Sequence, residues 1–145
     1  LHLVTDAFSR MIIGYILAPT LEAKYTIEAL QQAISHAGSG NLCGTIHHSD
    51  RGVQYCCDEY ITLLKEHHIR ISMTEDSNPT DNGMAERVNG IIKNEFLEPL
   101  QTPKNLLEAL PLVDHAVRTY NTLRPHLNLN MRTPAQVYEG KQIIL

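Results

Sequence analysis

Thr45-Ile46-His47-His48-Ser49-Asp50-Arg51-Gly52-Val53-Gln54-Tyr55 is the stretch that decides the fold. Its first four residues are a short strand candidate, and Ser49 to Gly52 are the turn formers that end it. Cys57, Ile61 and Leu64 then mark one face of a helix. Strand, turn and helix in this order is the repeating unit of an α/β protein, and Asp50 stands at the sheet edge where such folds place their sites.

Upstream, Leu1–Val4 and Met11–Leu17 are two β-rich runs separated by Asp6-Ala7-Phe8-Ser9-Arg10, which reads as an antiparallel hairpin. Thr20 reads as the N-cap of a first helix in which Ala23, Ile27, Leu30, Ile34 and Ala37 recur at helical spacing, with Gly38 at its C-terminus. Downstream, Ile69–Met73 is the next strand and Thr74–Asn82 a polar loop. A helix from Gly83 to Leu97 follows, with Ala85, Val88, Ile92 and Phe96 in one sector and Glu86 and Lys93 together on a wet face. Thr102-Pro103 starts another helix, in which Leu106, Leu110, Val113, Val117 and Tyr120 hold the period and Pro111 is expected to kink or split it. The tail, Thr122–Leu145, reads as irregular with a short helix after Pro134. This order gives a mixed α/β fold and fits a ribonuclease-H-like layer architecture lacking its first strand. Residues 1–100 are expected to form the core, and residues 101–145 a C-terminal helix and tail of the same domain.

At 145 residues, 43% hydrophobic and 19% charged, the chain is one ordinary domain, long enough to bury a core without disulfides or structural metal. Three cysteines, Cys43, Cys56 and Cys57, make no regular framework, and no Cys-x-x-Cys or spaced His pair supports a zinc site. No apolar run spans a bilayer, so a reduced cytoplasmic setting without membrane contact is the expectation. Twelve basic and 16 acidic residues give a formal charge of −4, which argues against a simple basic clamp for nucleic acid. The acidity is uneven: residues 1–83 carry −5 and residues 84–145 carry +1.

Asp50 and Glu86 are the residues with chemistry to offer. Two carboxylates presented from a strand end and a helix start suit a hard cation such as Mg²⁺. Taken singly, Asp50 also suits a turn that bonds its own backbone, and Glu86 a favourable charge at a helix N-terminus.

The wider context is more specific. His48-Ser49-Asp50-Arg51-Gly52-Val53-Gln54-Tyr55 and Asn78-Pro79-Thr80-Asp81-Asn82-Gly83-Met84-Ala85-Glu86-Arg87, with thirty-five residues between Asp50 and Glu86, resemble the second and third acidic segments of the DDE transposase and retroviral integrase superfamily. Tyr120-Asn121-Thr122-Leu123-Arg124-Pro125-His126-Leu127-Asn128-Leu129, with Thr133-Pro134, resembles the tail signature of bacterial insertion-sequence transposases. The resemblance runs from Leu1 to about Gly140. It implies a polynucleotidyl transferase whose Asp, Asp and Glu hold two Mg²⁺ or Mn²⁺ ions for in-line phosphoryl transfer to DNA. Position by position it implies Asp50 and Glu86 as catalytic metal ligands and Lys93, Asn82 and Arg87 as DNA-binding residues. DNA, as mobile-element ends and target, is the implied partner, with a homo-oligomeric synaptic complex in a bacterial cytoplasm.

The first acid is the departure. Leu1-His2-Leu3-Val4-Thr5-Asp6 resembles the family's second strand, so the first strand and its Asp are expected to lie upstream and the chain to be a fragment, inactive by itself. Asp6 reads as a turn residue rather than a substitute. Arg124-Pro125-His126 is open between a phosphate contact and a brace for the tail. A ribonuclease-H-like nuclease, or an inactive remnant that binds DNA or other subunits, are the alternative functions.

Overall fold

The computed structural model describes residues 1–38, 40–74, 83–97 and 103–140. In chain order these form β1 (His2–Thr5), β2 (Ile12–Ile16), α1 (Ala23–Ala37), β3 (Ile46–Ser49), α2 (Asp58–Glu66), β4 (Arg70–Met73), α3 (Gly83–Ile91), a π-helical segment (Ile92–Leu97), α4 (Leu106–Thr122), a 3₁₀ turn (Leu127–Leu129) and α5 (Pro134–Gly140). Among the described residues the strands make two separate pairs, the β1–β2 hairpin and the parallel β3–β4 pair, in which Ser49 stands opposite Met73. No described helix is long and apolar enough to cross a membrane.

The chain divides into two compact units, Leu1–Val4 with Ile13–Ala85 and Thr5–Ile12 with Glu86–Leu145. The first has Leu30, Ile34, Tyr60, Leu64 and Ile69 at its centre, contributed by α1, α2 and the residue before β4. Burying these side chains removes apolar surface from water and fixes the layers. His2 ties the hairpin to α1 through Thr26 Oγ1 at 2.8 Å. Gly14 lets β2 lie directly on α1, since a Cβ there would meet the Ala29 carbonyl oxygen and come within 2.9 Å of the Ala33 nitrogen.

Thr20 is not the cap of α1. Its hydroxyl donates to the Glu22 carboxylate at 2.7 Å, and the helix starts at Ala23 behind Glu22. Gly38 does end the helix, at φ +80° with its N–H on the Ile34 carbonyl.

The second unit is built on α4, which packs against the π-helical segment and α5. α4 starts at Leu106 rather than at Thr102-Pro103, capped by the Asn105 side chain, which accepts from the Glu108 N–H at 3.0 Å. The expected break at Pro111 does not occur, and the helix runs on to Thr122. Pro111 is exposed, and the carbonyl it leaves without a helical donor belongs to Leu107, a residue 80% exposed, so the lost bond lies on the outer side of the helix rather than in the core. Leu106 and Leu110 keep the same helical period but stand at its outer end, 40% and 38% exposed. Val113, Ala116, Val117 and Tyr120 are buried. The helix expected to be continuous from Gly83 to Leu97 changes at Ile92 into wider π winding, with Val88 and Ile92 buried.

Candidate active site

Asp50 directly follows β3 and is half-buried. Its Oδ1 accepts the Gly52 N–H at 2.8 Å, a side-chain turn that fixes the carboxylate relative to the backbone. A Cβ at Gly52 would lie 2.9 Å from that same oxygen and 2.6 Å from Gln54 Nε2, so a larger residue there would push these side-chain ends aside. The chain then turns through Tyr55, whose N–H donates to the Gly52 carbonyl at 2.9 Å, into α2.

Beside the turn lies a cluster that residue pattern alone does not single out. His47 Nε2 and the Tyr60 hydroxyl are hydrogen bonded at 2.9 Å, and the His47, Tyr55 and Tyr60 rings pack edge to face or tilted, with Tyr55–Tyr60 centroids 5.5 Å apart. Burial pushes Tyr55 up, and the Asp50 charge adds to the shift. One signal does exist in the sequence: Tyr60 shares the helical face of Cys57 and Leu64, and it is 1% exposed.

Burial holds His47 neutral and pushes its pKa down to about 4 from an ordinary 6.5. The unfolded chain therefore binds a proton between pH 6.5 and 4 that the folded chain does not, so stability falls as pH drops through that window. The expected loss from this residue is roughly 3 kcal/mol between neutral pH and about pH 4. Denaturant titrations at about pH 7 and about pH 4 check it: His47→Gln shows a markedly smaller pH-dependent loss than the natural chain.

Glu86 lies in the first turn of α3 and is exposed, where the helix dipole favours a negative charge. Arg87 and Lys93 are exposed as well. Lys93 stands on the π-helical segment, whose wider winding alters the simple two-turn relation to Glu86. Asn82 lies outside the described residues. Among the described residues no three His, Cys, Asp or Glu side chains are grouped as a metal site. Asp50 and Glu86 nonetheless offer hard carboxylate oxygens, the donor type that suits Mg²⁺ or Mn²⁺ and not a soft metal.

Asp6 is engaged as a turn residue: its Oδ2 accepts from the Ser9 N–H at 2.8 Å and the Ser9 hydroxyl at 2.5 Å. In the tail, Arg124 makes a two-pronged pair with Glu95, Nε and Nη2 each donating at 2.7 Å. The guanidinium holds the Glu95 carboxyl below the usual range. His126 packs edge-on to Tyr120 with centroids 5.0 Å apart, and its backbone bridges to Arg132. This is the brace geometry. Tyr120 and Asn121 fasten the hairpin tip, the Tyr120 hydroxyl donating to the Arg10 carbonyl at 3.1 Å while Asn121 binds both backbone groups of Ile12.

Two family models described as integrase core domain match residues 1–79 and 67–134. The transposase for insertion sequence element IS629 of Shigella sonnei is 31% identical over 92% of this chain and 44% of its own length. Transposase InsF for insertion sequence IS3A of Escherichia coli is 29% identical over 99% of this chain and 49% of its own. The chain thus spans less than half the length of these relatives. The HTLV-2 integrase catalytic core domain, solved in complex with magnesium, superposes with a TM-score of 0.68 at 27% identity, covering 92% of this chain and 80% of that one. The ribonuclease-H-like architecture expected from element order is the fold of these neighbours.

Proposed function

The chain belongs to the integrase core domain family, and from that premise we propose that it is the catalytic core of an insertion-sequence transposase. The reaction is in-line attack of a DNA 3′-hydroxyl oxygen on a target phosphodiester, which forms a new phosphodiester as the bond to the target strand's own 3′-oxygen breaks and that oxygen leaves, with DNA ends and target DNA as substrates. Asp50 and Glu86 are the metal-holding carboxylates. Bound Mg²⁺ or Mn²⁺ supplies activation of the attacking hydroxyl and charge stabilisation on the phosphate.

The observation that carries this reading is the Asp50 turn, a carboxylate fixed by Gly52 at the end of the parallel β3–β4 pair. A carboxylate pinned before a cation arrives needs little reorganisation to bind it. Glu86 adds a second hard donor at a helix start. Lys93, Arg87 and Asn82 are assigned to DNA; the first two are exposed cations that suit phosphate contact. Assembly as a homo-oligomer on paired DNA ends is supported by the HTLV-2 core, whose solved forms include a dimer and a trimer.

The test uses the full-length protein, a labelled element-end duplex and a supercoiled target. Metal-dependent joining of the labelled 3′ end supports transposition. Hydrolysis without joining supports a nuclease, and neither reaction supports a non-catalytic remnant.

A further inference from the structure

Asp50 is bracketed by a single residue of the neighbouring segment. On one side, the Thr74 N–H donates to the Ser49 carbonyl at 3.2 Å; on the other, Arg51 Nε donates to the Thr74 carbonyl at 2.7 Å. The regular ladder between β3 and β4 stops at Ser49 and Met73. The Arg51 side chain therefore adds one more rung, just past the strand end, where a turning backbone no longer provides one. Thr74 itself is buried, at 6% exposed, so the anchor is shielded from solvent. Gly52 then holds Asp50 Oδ1 from two residues along. Both chain neighbours of Asp50 and one of its own oxygens are thus tied down.

We propose that Arg51 is a positioning residue for Asp50: through the Thr74 carbonyl it sets the orientation in which the Asp50 carboxylate meets a divalent cation. This rests on the reading of Asp50 as a metal ligand. Arg51 bonds no atom of the Asp50 carboxylate, so it acts one step further out than a partner bonded to the ligand itself, by fixing the backbone that carries Asp50. The competing role for an exposed guanidinium is direct contact with a DNA phosphate, and the two predict different losses.

The experiment compares the full-length natural protein against Arg51→Ala, Arg51→Gln, Arg51→Lys and Asp50→Asn. Mn²⁺ affinity is measured by titration without DNA, and the Mg²⁺ and DNA concentrations for half-maximal joining are measured separately. Arg51→Ala weakens Mn²⁺ binding and raises the Mg²⁺ requirement by about 10-fold, the low end of the range for partners bonded to a ligand directly, with the DNA requirement unchanged. Arg51→Lys, which keeps a charged donor able to reach a carbonyl, recovers most of the loss. Natural Mn²⁺ affinity in Arg51→Ala overturns the proposal, as does a raised DNA requirement at unchanged Mn²⁺ affinity. Asp50→Asn separates the two levels: if it binds Mn²⁺ normally, Asp50 itself is misassigned, whereas loss in Asp50→Asn with none in Arg51→Ala removes only the role of Arg51. Thermal melting reports folding, and Arg51→Gln carries the comparison should the alanine variant not fold.

Discussion

Asp50→Asn and Glu86→Gln are each expected to cut DNA 3′-end joining by at least about 10²–10³-fold, the scale of losing one group that stabilises transition-state charge. Both changes preserve size and remove the anionic oxygen that a hard cation needs. Neither should unfold the protein. In Asp50→Asn the amide oxygen of the new side chain still accepts the Gly52 N–H, whose bond to Oδ1 is 2.8 Å in the natural chain. Glu86 is exposed, so its neutralisation costs at most the modest helix-dipole contribution, about 0.3–1 kcal/mol. Joining assays and circular dichroism on the same preparations check the separation of activity from folding. Joining at the natural level in either variant removes that residue from the metal site.

Asn121→Leu is expected to be the most destabilising conservative change in the second unit, by about 2–5 kcal/mol. Asn121 is buried, and its side chain acts as a strand edge: Oδ1 accepts the Ile12 N–H at 3.0 Å and Nδ2 donates to the Ile12 carbonyl at 2.9 Å. Leucine has nearly the same shape but leaves both Ile12 groups buried without partners, and each such group costs its full desolvation. Denaturant unfolding gives the number. By contrast, Arg124→Ala removes an exposed ion pair with Glu95 and should cost no more than about 1 kcal/mol despite its two short bonds.

These contrasts show where residue order is informative. The β3–turn–α2 unit is legible because a turn-forming Asp and Gly stand between two runs of different period, and Asp50 falls just beyond the strand as expected. Local competition hides the start of α1. Thr20 is a good cap by type, but Glu22 takes its hydroxyl. Pro111 misleads for a related reason, since its helical cost depends on whether the lost bond lies in the core, and here both Pro111 and Leu107 are exposed. The π winding at Ile92–Leu97 leaves the apolar residue types unchanged and so has no signature in periodicity. The tail motif is recognisable as a pattern, but its physical role depends on partners far away in sequence: Asn121 on Ile12, Tyr120 on Arg10 and Arg124 on Glu95. The His47–Tyr60 bond likewise forms only once α2 lies over β3.

A double-mutant cycle on Mn²⁺ affinity tests most directly whether Asp50 and Glu86 act as one metal site. The full-length natural protein, Asp50→Asn, Glu86→Gln and the double variant are titrated without DNA under identical salt and pH. If the two carboxylates share the ions, each single change removes most of the binding and the double variant is little worse than either, because interacting groups do not add. Affinity unchanged in the single variants, or losses that sum as for two independent sites, would contradict a shared catalytic centre.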